Sequence, residues 1–231
     1  MITKFDDSVS RVRTSAYNTV LNLCSSIPGV QAIIDCSMVP ILVTNLAAES
    51  EDIQLIILDI LHCCSPVNGQ LTLSCGGLQT ALSLMGSGSL PALRAKATRT
   101  VMELCNSAEG KVKACDEVTL IPRLVELLGD NESDVRTAAA GALMVIVVTT
   151  RGKFCVLEAD GLEALLKLTA SSEDQHTILN SVKALTCLAE AAQGRKQLLN
   201  HLDQFTPLKR HPSRAVVEAT NTAIKVITWK P

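Results

Sequence analysis

Aromatic side chains are scarce in this sequence. It has three Phe, one Tyr and one Trp among 231 residues, although 47% of the residues are apolar. Compact cores commonly rely on aromatic rings, because each ring buries a large area. Here Leu, Ala, Ile, Val and Cys must fill the interior instead. This composition favours thin layers of helices that pack closely side by side, as in a solenoid.

An excess of positive charge is also missing, as is a long apolar run. The formal net charge is −2, whereas nucleic-acid affinity comes mainly from Lys and Arg side chains that neutralise phosphates. The most apolar stretch, residues 137–150, is shorter than the roughly 20 residues that cross a bilayer. We therefore expect neither a nucleic-acid partner nor a membrane partner.

Metal-binding and catalytic motifs are absent too. The nine cysteines form no Cys-x-x-Cys pair, and none lies at zinc-finger spacing from a histidine. Neither a phosphate-binding glycine loop with its lysine nor a nucleophile motif occurs. The sequence therefore predicts no catalytic residue, no cofactor, no metal and no small-molecule substrate. It predicts reduced cysteines that serve as small apolar residues.

What the sequence does contain is an internal repeat. Six strongly apolar segments with helical periodicity cover residues 11–24, 52–64, 92–105, 134–147, 176–189 and 215–228. One equivalent position recurs in them at intervals of 40, 41, 42, 42 and 39 residues, and it holds Val20, Ile60, Val101, Leu143, Leu185 and Ile224. Such intervals are typical of armadillo and HEAT repeats, in which each unit buries its apolar face against its neighbours.

Glycines and prolines mark the same period. A glycine follows each of the first five segments, at Gly29, Gly69, Gly110, Gly152 and Gly194. Glycine just past a helix end adopts left-handed backbone readily, so these glycines are predicted to close the preceding helices. A further helix opens near Pro40 and Pro122, where a proline of the first turn loses no hydrogen bond. Three helices per unit favour armadillo over two-helix HEAT repeats.

The predicted fold is all-α, an armadillo/HEAT-like right-handed α-solenoid of about five to six repeats of ~41 residues. We expect one domain over residues 1–231, with an incomplete first repeat at 1–35. Complete repeats follow at 36–75, 76–116, 117–158 and 159–200. A degenerate C-terminal cap covers 201–231, since terminal repeats of solenoids are often irregular.

The candidate binding surface lies on the third helices, because these line the concave face of an armadillo solenoid, where ligands bind. The polar side chains predicted there are Asn18, Asn22, His62, Lys96, Arg99, Glu103, Asn180 and Lys183. An ordinary solvated surface explains them equally well. Peptide-binding importins carry an Asn in each repeat and a companion Trp ladder. Only Asn22 matches that ladder and no Trp accompanies it, which disfavours a nuclear-import adaptor.

A second candidate surface is the N-terminal end. The segment 11–24 is a third helix without the first and second helices of its own repeat. We therefore expect partial exposure of Val12, Tyr17, Val20 and Leu21. An uncovered apolar patch usually marks an interaction site. The hypothesis is that this patch docks against another protein or against further repeats.

Three strings in the second half carry a more specific resemblance. They are TAAAGALMVIVVTTRGKFCVLEADGLEALLKL at 137–168, KALTCLAEAAQGRK at 183–196 and AIKVITWKP at 223–231. They resemble the radial spoke head 14 family of cilia and flagella, the rhabdoid tumour deletion region family. The resemblance extends from about residue 134 to the end and is weaker, but in register, before that.

This resemblance implies a structural, non-enzymatic subunit of the radial spoke, the complex that links doublet microtubules to the central pair and supports motility. It implies other spoke subunits as partners and a place in the cytoplasm and cytoskeleton, at the axoneme of a cilium or flagellum. It assigns no individual binding residue. Composition and periodicity alone reach only an armadillo scaffold. The alternative is therefore a cytosolic or nuclear adaptor for transport or for a ubiquitin ligase, and an enzyme is disfavoured.

Overall fold

A computed structural model describes residues 2–172 and 174–229, and within these ranges it contains helices and no strand. The α-helices are α1 (Ser10–Leu23), α2 (Ile27–Asp35), α3 (Met38–Leu46), α4 (Glu51–Ser74), α5 (Gly77–Ser83), α6 (Pro91–Leu104), α7 (Ala108–Asp116), α8 (Leu120–Leu127), α9 (Ser133–Ile146), α10 (Thr150–Glu158), α11 (Gly161–Ser171), α12 (Gln175–Leu188), α13 (Ala192–Leu198) and α14 (Arg214–Ile227). Short 3-10 helices cover Ile2–Lys4, Leu199–Phe205 and Pro207–Arg210. The predicted all-α class is confirmed.

The helices recur as first, second and third helices of a repeating unit. The first helices are α2, α7, α10 and α13, the second helices are α3, α5, α8 and α11, and the third helices are α1, α4, α6, α9, α12 and α14. α4 is longer because it continues into the first helix of the next unit through a break at Asn68 (φ −152°, ψ 67°) that follows Pro66. Before α14, two 3-10 helices stand in place of a second helix, in the segment predicted to be a degenerate cap.

The chain divides into two compact units, Met1–Gly110 and Lys111–Pro231. In each unit the buried side chains are mostly Leu, Ile, Val and Ala, as the composition predicts. The buried aromatic residues are Phe5, Tyr17 and Phe205, whereas Phe154 and Trp229 are exposed. The predicted single domain and its repeat boundaries stay a prediction.

The recurring glycines do not end helices, which corrects their predicted role. Among the described glycines only Gly76 has a positive φ, and Gly110 lies in the first turn of α7. A Cβ atom on Gly110 would lie 1.9 Å from the carbonyl oxygen of Leu104, at the end of α6. Glycine is therefore needed because the backbones of the third and first helices touch at this corner.

The same corner occurs at three more units. A Cβ atom on Gly29, Gly152 or Gly194 would lie 2.0, 2.1 or 2.2 Å from a main-chain oxygen six residues earlier. A hydroxyl group caps the first helix at three of the four corners, because Ser26, Ser107 and Thr149 accept a hydrogen bond from the glycine N–H at 3.2, 2.9 and 3.0 Å. We call this close approach of a first-helix glycine to the end of the preceding third helix the glycine corner, with or without the hydroxyl cap.

Left-handed backbone lies one helix further along, between first and second helices. Ser37 (φ 53°), Gly76 (φ 81°) and Asp160 (φ 57°) directly precede α3, α5 and α11. Non-glycine residues pay a steric cost for this conformation. The backbone at Ser37 and Asp160 is therefore strained in this tight turn, whereas Gly76 adopts the same conformation without the steric cost.

Candidate protein-binding face

The predicted charged residues of α6 share one stripe of that helix. Lys96, Arg99 and Glu103 are spaced by three and four residues, which places them on one face. The Lys96 ammonium group donates to the Asp59 carboxylate of α4, and both side chains are partly exposed. Glu103 accepts a hydrogen bond from the Asn106 amide at 3.0 Å. The stripe therefore already uses part of its charge within the first unit.

The two asparagines of α1 are less engaged. Asn18 and Asn22 lie one helical turn apart, and both are exposed. Over residues 2–172 and 174–229, neither carboxamide has a hydrogen-bond partner. The neighbouring hydroxyl groups differ, because Ser15 and Thr19 donate to main-chain oxygens four residues earlier at 2.9 and 2.8 Å. The donors and acceptors of both carboxamides therefore face solvent.

His62 of α4 is half-buried, and its Nδ1 atom is buried without a hydrogen-bond partner among the described residues. Its neighbours in sequence are thiols. Contact with Cys64 raises the pKa of the Cys24 thiol, and burial raises the pKa of the Cys63 thiol. A base for catalysis needs an orienting partner, and the described residues supply none for this ring nitrogen.

The second unit contributes Asn180 and Lys183 of α12. Lys183 is exposed and Asn180 is half-buried. The third helix before it, α9, presents apolar side chains, since Val145 is half-buried and Val148, just past its end, is 62% exposed. The third-helix face of this unit therefore mixes polar and apolar groups.

The predicted N-terminal patch is wrong in its central residues. Tyr17 and Val20 are 0% exposed, whereas Val12 and Leu21 are half-buried. The segment before α1 covers them, because the Phe5 ring stacks on the Tyr17 ring with centroids 4.4 Å apart. The Tyr17 hydroxyl accepts a hydrogen bond from Asn45 at 2.8 Å, and burial raises its pKa.

An arginine holds this covering segment in place. The Arg13 guanidinium donates to both carboxylate oxygens of Glu49, at 2.7 and 3.0 Å, and to the main-chain oxygen of Asp7 at 2.9 Å. A bidentate pair of this kind fixes geometry as well as charge. The exposure on which the docking hypothesis rests is therefore lost at Tyr17 and Val20.

The described part of the chain holds no group of three or more His, Cys, Asp and Glu side chains that could bind a metal ion. No single described helix is long and apolar enough to cross a membrane. The helix pair Ile27–Asp35 and Met38–Leu46, bent by 84°, passes the same test of length and composition together.

Comparison with known proteins agrees with this repeat geometry. A family model described as HEAT repeat matches residues 120–148, which span α8 and α9. The designed armadillo repeat protein YIII(Dq)4CqI superimposes with a TM-score of 0.90 at 18% identity, over 98% of this chain and 98% of that one. The fold is of the armadillo type.

Two further designed proteins add to this likeness. The designed armadillo repeat protein YIII(Dq.V1)4CPAF, solved in complex with the peptide (KR)4, has a TM-score of 0.89 at 18% identity and 98% coverage of both chains. A set of computationally designed armadillo repeat proteins for modular peptide recognition gives a TM-score of 0.88 at 18% identity, over 97% of both chains. An armadillo-type fold of this kind is suited to binding proteins, because its stacked third helices offer an extended surface.

Sequence reasoning missed two pairs that the structure brings together. Asp59 binds Lys96 across neighbouring third helices, and Cys115 contacts Cys155 across neighbouring first helices. The members of each pair are separated by 37 and 40 residues, which is close to one repeat. A search for reactive residues one period apart would have included both pairs among its candidates, but it would not have shown that their side chains meet.

Proposed function

We propose that this chain is a protein-binding scaffold that holds an extended segment of its partner along the third helices, without chemistry of its own. The observation that carries the proposal is the pair of exposed, unpartnered carboxamides Asn18 and Asn22. A carboxamide both donates and accepts, so it suits the main chain of an extended peptide. The designed armadillo proteins of similar fold include one in complex with a peptide, which supports this use.

The charges of the face indicate what the partner segment is like. The peptide in that designed complex is the basic (KR)4, whereas the third helix α12 of this chain carries an exposed cation at Lys183. Like charges oppose binding and opposite charges favour it. We therefore expect a neutral or acidic segment, and a basic peptide should bind this chain poorly.

The finer proposal is that the scaffold is a radial spoke subunit of the axoneme. The resemblance of residues 137–168, 183–196 and 223–231 to the radial spoke head 14 family supports it. A scaffold within a mechanical complex needs a rigid frame more than a catalytic group, and the aliphatic core and glycine corners supply such a frame.

Localisation tests the finer proposal. A tagged chain should stay with isolated axonemes through salt extraction, and crosslinking mass spectrometry should join it to other spoke proteins. A diffuse cytosolic or nuclear pool that salt releases fully would refute the spoke assignment. That result would favour the transport or ubiquitin-ligase adaptor and would leave the scaffold proposal standing.

Substitution of the carboxamides tests the binding face. Asn18→Ala with Asn22→Ala removes two sets of hydrogen bonds, each worth about 1 kcal/mol, and should weaken partner binding roughly ten-fold or more. Gln70→Ala with Gln79→Ala is the matched control, because both glutamines are exposed, Gln70 in the part of α4 beyond the break at Asn68 and Gln79 in the second helix α5. Equal losses for both pairs, or none for the asparagine pair, would show that another face binds the partner.

A further inference from the structure

Two thiols from successive repeats lie near each other within the second compact unit, Lys111–Pro231. Cys115 lies near the end of α7 and Cys155 lies in α10, and the two thiols are close enough to interact electrostatically. Both are free and half-buried. They line one open pocket of about 280 Å³, together with Val118, Ile121 and Pro122 among others. Small molecules in solvent can therefore reach both sulfur atoms.

An arginine fixes the two helices beside these thiols. The Arg151 guanidinium, from the first turn of α10, forms an ion pair with the Asp116 carboxylate of α7 at 2.6 Å. It also donates to the main-chain oxygen of Cys115 at 3.4 Å. The contact between the sulfur atoms is thus part of a bridged helix pair rather than a chance approach of two mobile side chains.

We propose that Cys115 and Cys155 form a dithiol site that hydroperoxides oxidise to a disulfide, which ties α7 to α10. The two cysteines are one repeat apart in sequence, so the disulfide would join two successive repeats covalently. It would close the pocket between the thiols and fix the angle between the two first helices. The site is independent of the partner-binding face proposed above.

The surroundings assign a role to each sulfur atom. Burial, with the charge and hydrogen bond of Cys155, raises the pKa of the Cys115 thiol to about 11. Cys115 therefore keeps its proton at neutral pH. Because the thiolate is the nucleophile, Cys115 is a poor first nucleophile, so we assign the first attack on the oxidant to Cys155 and the resolving step to Cys115.

The reaction balances with a hydroperoxide as the only co-reactant. The Cys155 sulfur attacks the terminal peroxide oxygen, the O–O bond breaks, and an alcohol (or water) leaves while a sulfenic acid forms. The Cys115 sulfur then attacks the Cys155 sulfur and the S–O bond breaks. The departing hydroxyl takes the Cys115 proton and leaves as water. Two thiols have lost two electrons, and the peroxide has gained them.

The thiols of the first unit make a useful contrast. Cys24 contacts Cys64 and Cys63, but Cys64 is 0% exposed. A thiol that solvent does not reach is protected from oxidants. Within this cluster only Cys64 is protected in this way, because Cys24 and Cys63 are half-buried and interact with each other, so a link between these two is a competing product of oxidation.

Peptide mapping tests the proposal on the full chain. Trypsin releases Cys115 in residues 114–123 and Cys155 in residues 154–167, and each peptide contains a single cysteine. After brief treatment with hydrogen peroxide, these two peptides should appear as one linked species that a reductant separates. Phenylarsine oxide, which bridges adjacent thiols, should block both cysteines before treatment and abolish the linked species.

Two single variants test the roles. In Cys115→Ser the sulfenic acid on Cys155 has no resolving thiol, so dimedone should trap it there. In Cys155→Ser we expect Cys115 to stay reduced at neutral pH. Dimedone trapping on Cys115 in that variant would overturn the assigned roles.

The denatured chain is the control for contact. In denaturant, oxidation should link the nine cysteines according to their separation along the chain. If the native chain gives that same distribution, or no link between residues 114–123 and 154–167, the dithiol site does not exist. Circular dichroism of both serine variants shows whether the fold survives, and a folded variant keeps either outcome decisive.

Discussion

The glycine corner leads to a sharp prediction about Gly110 and Gly69, which occupy equivalent positions in adjacent units. Gly110→Ala would place a Cβ atom 1.9 Å from the main-chain oxygen of Leu104, whereas Gly69→Ala would meet nothing closer than 3.8 Å. The difference arises because α4 runs on past Pro66 with no sharp corner at Gly69. One glycine therefore lacks space for a methyl group, and the other has it.

The magnitude follows from the contact. To restore ordinary van der Waals separation, α7 must move away from α6 by about 1.5 Å. Overpacking of this kind costs about 1–3 kcal/mol, and the movement strains the Ser107 cap, which is worth about 1 kcal/mol. The gain in helix propensity returns up to about 1 kcal/mol. Gly110→Ala should therefore destabilise the protein by roughly 2–3 kcal/mol, whereas Gly69→Ala should be neutral or slightly stabilising.

Thermal unfolding followed by far-ultraviolet circular dichroism measures both variants. At about 2–4 °C per kcal/mol for a chain of this size, Gly110→Ala should melt roughly 5–10 °C below the wild type. Gly69→Ala should melt at or slightly above it. Equal melting of the two variants would refute the idea that backbone contact excludes a side chain at the corner.

Three other substitutions test further features. Asp160→Gly removes a non-glycine residue from φ 57°. It should raise the free energy of unfolding in urea by up to about 1 kcal/mol, and a lower free energy of unfolding would contradict this prediction. Asp174 caps α12 through the Thr177 N–H at 2.6 Å. Burial raises its pKa, but the hydrogen bonds of Thr177 and other neighbours outweigh burial and lower it. Its contribution should thus be complete above about pH 4 and be lost as the pH falls further, and Asp174→Ala should cost about 1 kcal/mol at pH 7 and remove that part of the acid sensitivity. Phe5→Ala removes the ring stacked on Tyr17 and should cost roughly 2–4 kcal/mol, whereas an unchanged melting temperature would mean that the N-terminal segment does not cover α1.

Periodicity in the sequence was enough to predict the helices and their order. The apolar positions around Val20, Ile60 and Leu143 reflect burial within each unit, so local pattern and tertiary structure agree there. The sequence predicted the recurring positions of the glycines correctly, but the structural role assigned to them was wrong. A local rule about helix ends suggested left-handed backbone, but the cause is a contact between two helices that sequence spacing alone does not reveal.

The predicted exposure of the N-terminal patch was wrong for a related reason. The contact of Phe5 with Tyr17 spans 12 residues, which is far less than one repeat. A search for repeated patterns finds only recurring features. It therefore does not detect a segment that folds back on the first helix. The Asp59–Lys96 pair was missed because its formation depends on the direction of two side chains, which a period of about 41 residues does not fix.

The glycine corner also bears on how such sequences diverge. At the corner, main chain meets main chain, so the angle between a third helix and the next first helix is set by atoms that every residue has in common. Substitutions within the aliphatic core can then accumulate without turning one unit against the next, provided that the glycine stays. In such a lineage, loss of a corner glycine should be tolerated only where, as after Pro66, the helix runs on and the corner itself has disappeared.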